Sequence, residues 1–243
     1  MNTLLTGKGF SGLRKQASFF GVAVAATTLF AQQSVYAGSV GVRAGTLGFG
    51  VEATQSLHRK LNTRIGLNTL AKSLDNSSDG VDYTADLDFK TVTALLDWHP
   101  FAGTFYLSGG LVLNSSSISI KNKQITQTFT VGGTDYSSSD LQLRGDIGFQ
   151  PLAPYFGLGW RSAPSSRGLG LSAEIGVMYS GSPDIQLDAT GTAYVTSNPN
   201  NTFNVAADPG FQDSLTKEEL KLEQDYSNFK YYPVLSLGVT YAF

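Results

Sequence analysis

From Pro233 to the last residue the chain alternates strictly. Pro233, Leu235, Leu237, Val239, Tyr241 and Phe243 take one set of positions, and Val234, Ser236, Gly238, Thr240 and Ala242 the other. Successive side chains of a strand point to opposite faces, so the pattern predicts a β-strand with one apolar face and one small, mildly polar face. The same alternation recurs upstream. Leu169, Leu171, Ala173, Ile175, Val177 and Tyr179 alternate with Gly170, Ser172, Glu174, Gly176 and Met178, and Ile65 and Leu67 with Arg64, Gly66 and Asn68. Strands apolar outside and polar within suit a membrane-spanning barrel. The alternative is a soluble β-sandwich, in which the apolar rows would pack against a second sheet.

In two places the apolar phase flips. Val40, Val42 and Ala44 give way to Leu47, Phe49, Val51 and Ala53, so Gly45-Thr46 marks either a bulge or a tight turn. Over residues 81–98, Tyr83, Ala85, Leu87 and Phe89 give way to Val92, Ala94, Leu96 and Trp98. Short polar turns are predicted at 58–60, 99–103 and 162–168. Longer connections are predicted at 75–80 and at 114–140, the latter as a long loop or an extended hairpin. Pro151 and Pro154 interrupt the apolar stretch over residues 147–160, and a proline inside a strand usually marks a bulge or an unpaired position. Residues 214–226 predict the one helix: Thr216 and Glu219 form a capping-box pair, and Phe211, Leu215, Leu222 and Tyr226 share a stripe. Eight strands result if Gly45-Thr46 is a turn and residues 185–195 belong to a loop. Eight also result if Gly45-Thr46 is a bulge and residues 185–195 cross the membrane. The first option keeps every short turn at one end, at the cost of a first strand shorter than the ~9–11 residues expected. The expected fold is therefore all-β: a transmembrane, antiparallel, up-and-down β-barrel of about eight strands, with one short helix before the last.

Composition narrows this further. Lys8, Arg14 and Lys15 precede an apolar run over residues 18–31, and Ser34-Val35-Tyr36-Ala37 offers a small-residue cut site. That order predicts a secretory signal peptide over residues 1–37 and a mature domain over 38–243. Beyond it no apolar run is long enough for a transmembrane helix. There is no cysteine, which excludes disulfides and thiolate metal sites, and the net charge of −2 leaves no basic patch for nucleic acid. The 27 glycines, many inside apolar segments, fit a crowded barrel interior, where they make room for larger neighbours.

Short turns face the periplasm in outer-membrane barrels and long loops face outward. Trp98, Phe101, Phe105, Trp160, Tyr241 and Phe243 would then belong to one aromatic girdle on the periplasmic side.

Eight strands enclose a lumen that their own side chains fill, so a general porin is not expected. Arg43, Glu52, Arg64, Arg144 and Glu174 are the inward candidates for a lumenal polar network of mixed sign, in which each charge needs a partner. A narrow gated path or a small hydrophobic-ligand site is the alternative. His58 and His99 fall at predicted turns. The run Asp97-Trp98-His99 could belong to a lipid- or peptide-hydrolysing site only if partners converge in space. No nucleophile elbow, Walker loop, dinucleotide fingerprint or metal-spaced cluster is present, and the acidic stretch 75–82 does not match a calcium loop. No catalytic residue, metal ligand or cofactor is expected, and the chain reads as a non-enzyme whose outward loops carry its specificity.

The terminal Phe243 with Leu235, Leu237, Val239 and Tyr241 at alternate positions before it resembles the closing strand of small Gram-negative outer-membrane barrels. In that family this pattern is the assembly signal. GTLGFGVEA (residues 45–53), LLDWHPFAG (95–103), APYFGLGW (153–160), YSGSPDIQL (179–187) and FKYYPVLSLGVTYAF (229–243) extend the resemblance to a proteobacterial outer-membrane barrel family. The resemblance implies a place in the outer membrane, with membrane lipids and the barrel-assembly machinery as partners. It brings no activity, no catalytic residues and no ligand for the outward loops.

Overall fold

The computed structural model describes residues 38–78, 81–122, 128–162 and 167–243. The leader with its cleavage site, the tip of the 75–80 loop and the middle of the 162–168 connection lie outside the described residues. The chain opens with β1 (Gly38–Gly45), β2 (Gly48–His58), β3 (Leu61–Ser78), β4 (Val81–Trp98) and β5 (Phe105–Asn114). There follow β6 (Ser117–Asn122), β7 (Thr128–Val131), β8 (Thr134–Ser137), β9 (Gln142–Gly148), β10 (Leu152–Arg161) and β11 (Gly168–Tyr179). The rest comprises β12 (Asp184–Thr190), β13 (Thr192–Val195), β14 (Thr202–Asn204), α1 (Pro209–Asp225) and β15 (Tyr231–Ala242).

Eight of these strands close a barrel in chain order: β1, β2, β3, β4, β5, β10, β11 and β15, each antiparallel to the next, with β15 returning to β1. Thr46 and Leu47 form a tight turn between β1 and β2, so the first flip in phase is a turn and not a bulge. Residues 185–195 form β12 and β13, which lie outside the barrel ring. β1 is eight residues long, the shortest of the ring. The outward rows are bare: Leu169 is 74% exposed, and Phe49 and Leu237 are 69% exposed. A contiguous apolar belt of this kind is not left facing water on a soluble monomer; hydrocarbon is the solvent that accepts it. No second sheet or helix layer covers it among the described residues, which answers the sandwich alternative.

The second flip has a different cause. All 18 residues of β4 pair with β3 and the register never shifts. Phe89, Leu87 and Ala85 therefore point to the same side as the buried Thr91, Thr93, Leu95 and Asp97. The strand does not turn over; its surroundings do. Within the barrel the outer side meets apolar solvent and the inner side is polar. Above the rim the outer side meets water and the inner side turns toward other protein groups, as Phe89 does toward Tyr232, with ring centres 6.2 Å apart.

That upper part is a folded lobe. The far half of β4 pairs with β6, β6 with β9 and β9 with β12, continuing part of the barrel wall beyond the rim. The described part of the 114–140 connection holds three strands, β6, β7 and β8, of which β7 and β8 pair as the hairpin that was one of its two expected forms. A second sheet, ordered β14-β13-β8-β7, and α1 cover the apolar side of this wall. Their shared core includes Val131, Tyr136, Leu141, Val205, Phe211 and Leu215.

The helix starts earlier than the capping-box pattern suggests. Asp208 is the N-cap, its carboxylate accepting from Phe211 N at 2.8 Å, and Pro209 occupies the first helical position. Thr216 instead donates to Gln212 O one turn back, and Glu219 reaches out to accept from Leu187 N at 2.6 Å. Glu223 similarly accepts from Ile185 N. The helix thereby satisfies the free edge of β12, an edge that would otherwise be open to another strand. Asp208→Ala is expected to cost about 1 kcal/mol of local stability. It should appear as faster amide exchange across α1 with the barrel strands unchanged.

Candidate functional site

Alternation sends Arg43 of β1, Glu52 of β2, Arg64 of β3 and Glu174 of β11 into the lumen, and barrel closure brings them together. Arg43 lies 3.2 Å from Glu52 and 3.4 Å from Glu174. Arg64, fully buried, lies 2.6 Å from Glu174 and 3.4 Å from Glu52. Its Nε and Nη2 also donate to the two oxygens of Asp97 at 2.9 and 3.0 Å, a bidentate fork. Arg161 of β10 completes the set, 3.4 Å from Asp97 and 3.8 Å from Glu52. Three arginines thus face three carboxylates, and the cluster is neutral overall.

Neutral hydrogen-bonding groups take up several of the remaining positions, while Arg43 Nε and Arg161 Nε and Nη1 are buried without a hydrogen-bond partner. Tyr106 Oη donates to Glu174 Oε2 at 2.9 Å, Tyr155 Oη donates to Glu174 Oε1, and Arg43 Nη2 donates to Ser236 at 2.7 Å. Arg64 Nη2 donates to Ser108, whose hydroxyl donates to Asp97. The guanidinium carbons of Arg161 and Arg64 lie 5.0 and 5.6 Å from the Tyr106 ring centre, within cation–π range. Glycines make the space for these large groups. A Cβ at Gly159 would sit 2.5 Å from the Tyr106 ring, and one at Gly176 would collide with the Tyr155 hydroxyl.

An apolar layer lies against this charged one, toward the lobe: Leu47, Leu95, Val112, Ala153, Met178 and Val234 pack with Tyr155 and Tyr232. Between the layers, a void bordered by Arg43, Leu47, Asn68 and Val234 measures only about 10 Å³, about the space of one water. The arrangement is a plug: an ion cluster at the short-turn end and, toward the lobe, an apolar layer beside the buried Asn68 and Thr91, whose side chains hydrogen-bond to each other at 3.1 Å.

Arg144 does not belong to it. It sits on β9 in the lobe, about 42% exposed and paired with Asp146 at 2.6 Å. The inward expectation failed because β9 stands above the barrel rim, where the side occupied by Arg144 meets water. Asp97, Arg161, Tyr106 and Tyr155 were the residues missed. Their signal was present: Asp97 lies between Leu96 and Trp98, and Arg161 follows Trp160, so the parity of those outward residues already turned both charges inward.

The histidines stand apart from the carboxylates. His99 Nδ1 lies 2.9 Å from the Gly103 carbonyl, so it carries the proton, and Nε2 accepts from Asn62 Nδ2 at 3.0 Å. His58 Nδ1 accepts from Lys60 N in its own turn. Among the described residues no group of three or more His, Asp or Glu side chains is placed to hold a metal.

No protein-family model and no curated protein sequence matches the chain. Among solved structures it is similar to CarO of Acinetobacter baumannii: 20% identity, TM-score 0.55, covering 84% of this chain and 97% of that one. It is also similar to CarO2 of the same organism: 20% identity, TM-score 0.56, covering 87% of this chain and 100% of that one. The chain has the fold of a small outer-membrane β-barrel protein. At this level of identity the likeness is one of architecture alone, and the plug described above is read from this chain's own residues.

Proposed function

We propose that this is an integral outer-membrane protein without enzymatic activity, whose barrel is a sealed anchor and whose lobe works at the cell surface. The plug carries the reading. A lumen crossed by a neutral, hydrogen-bonded ion cluster and then by an apolar layer offers a hydrated ion no continuous polar path. Opening it would strand buried charges without partners.

The leader over residues 1–37, cleaved after about Ala37, would deliver the chain to the periplasm. The assembly machinery would there read Leu235, Leu237, Val239, Tyr241 and Phe243, and membrane lipid would solvate the outer belt. The short turns at 58–60 and 99–103 then face the periplasm and the lobe faces outward. The same geometry supports a non-enzymatic role, because both ring nitrogens of His99 are engaged by Asn62 and Gly103.

Two measurements test the proposal. The protein should fractionate with the outer membrane and migrate anomalously on a gel until boiled, as closed barrels do. Reconstituted in a planar bilayer, it should give no conductance above that of the bare membrane. Steady single-channel steps from the wild type would overturn the sealed anchor and favour a narrow channel.

A further inference from the structure

The lobe contains a cavity of about 580 Å³ between its barrel-derived sheet and α1, within the ~300–1,000 Å³ range of small-molecule sites. Its floor is the apolar side of β6, β9 and β12, including Ile118, Ile147 and Leu187, and its roof is Leu215 and Leu222 of α1. Gly145 lies at the centre of the floor. Its cross-strand neighbours are Ile120 and Leu187, and a Cβ there would meet one heavy atom within 4 Å, Leu187 Cδ2 at 3.4 Å. A glycine beneath open space, in the middle of a mainly aliphatic sheet face, keeps a volume free that a leucine would fill.

The cavity meets the barrel rim. Phe149, Pro183 and Phe229 line it, and each lies within four residues of an outermost barrel position: Leu152, Tyr179 or Tyr231. Phe229 is 69% exposed and packs on the half-exposed Tyr226, with ring centres 5.8 Å apart. Tyr179 and Tyr231 pair at 5.4 Å at the adjacent end of the barrel wall. Exposed aromatics at this level mark the headgroup region of a bilayer.

We infer that the cavity is a binding site for the acyl chain of a single-chain amphiphile, which enters from the headgroup region of the outer leaflet. The inference rests on the membrane reading above. Aliphatic lining recognises the chain. The head group stays outside, at the Tyr226–Phe229 mouth. A free fatty acid and a lysolipid present the same chain, and both are candidate sources.

The test uses the full mature protein, folded and held in amphipol. Radiolabelled palmitate and palmitoyl-lysophosphatidylcholine are supplied separately, and retained ligand is counted per barrel. Wild type should retain close to one chain of at least one probe, and α1 amides around Leu215 and Leu222 should exchange more slowly when it is bound. Gly145→Leu should weaken retention at least about tenfold. Gln142→Leu, which adds the same bulk to the water-facing side of β9, should leave it unchanged. Retention of both probes shows that the chain alone is recognised, and retention of the lysolipid only assigns the chain to a membrane lipid. A heat-modifiable wild-type barrel that retains neither probe and shows no change in α1 exchange overturns the site, as does Gly145→Leu binding like wild type. Loss of heat modifiability in the wild type would overturn the membrane reading instead.

Discussion

Arg64→Met is expected to destabilise the folded barrel by about 3–5 kcal/mol, the cost of removing one partner from a buried ion pair. Arg64 is the hub of the plug, touching Asp97, Glu52 and Glu174 with no exposure of its own. Without it, three carboxylates share Arg43 and Arg161, and one negative charge is left buried without a counter-ion. The loss arises from that orphaned charge more than from the contacts removed. A second substitution separates the two: Arg64→Met with Asp97→Asn restores two cations against two anions and keeps an acceptor for Ser108. The double variant should recover most of the stability. Denaturant unfolding in lipid vesicles, followed by the gel shift of the unboiled protein, gives both numbers. A single variant within about 1 kcal/mol of wild type, or a double variant no better than the single, would show that water or protonation neutralises the carboxylates rather than the arginines.

The second large effect concerns the other face of the wall. Leu237 stands midway along β15, between Tyr231 at the lobe end and Phe243 at the other, and it is flanked by Ala44 on β1 and Ala173 on β11. Leu237→Arg places a charge at the membrane midplane and should cost about 2–4 kcal/mol, whereas Tyr241→Arg near the interface should cost about 0–1 kcal/mol. The gradient is the diagnostic feature. Arginine scanned through Leu235, Leu237, Val239 and Tyr241 should trace a penalty that peaks at Leu237. A flat profile would mean that protein or water, and not a hydrocarbon slab, contacts this row. The same substitutions bear on assembly: loss of folding in cells with refolding intact in vesicles would assign the terminal row to recognition by the assembly machinery.

Much of the barrel was legible before any coordinates. Alternation in residues 233–243 and 169–179 names the strands and their outer faces, since side-chain direction in a strand is set by parity alone. Parity also turned Arg43, Glu52, Arg64 and Glu174 inward. It failed for Arg144, and it split residues 81–98 into two phases, for one shared reason. A period-two pattern says that the two faces differ; it does not say which solvent each face meets. β4 runs from an aqueous level, where apolar groups turn inward, to a membrane level, where polar groups do. The reversal at Phe89–Val92 therefore marks a boundary between solvents and not a defect in the ladder. The lobe was hidden for a related reason. Strands of three to seven residues, such as β7, β13 and β14, carry too few alternations to stand out from polar connecting segments.

The sequence by itself determined the class of protein: all-β, with strands apolar on one face and small and polar on the other. These follow from the local geometry of a strand, which every dipeptide expresses. Only the tertiary structure decided which charges meet. Arg64 finds Asp97, Glu52 and Glu174 because closure of the ring brings β2, β3, β4 and β11 around one lumen, and no spacing along the chain encodes a distance across it. It likewise decided that β6, β9 and β12 rise beyond the rim and leave a cavity under α1, because the height of a residue along the barrel axis is a property of the assembled wall.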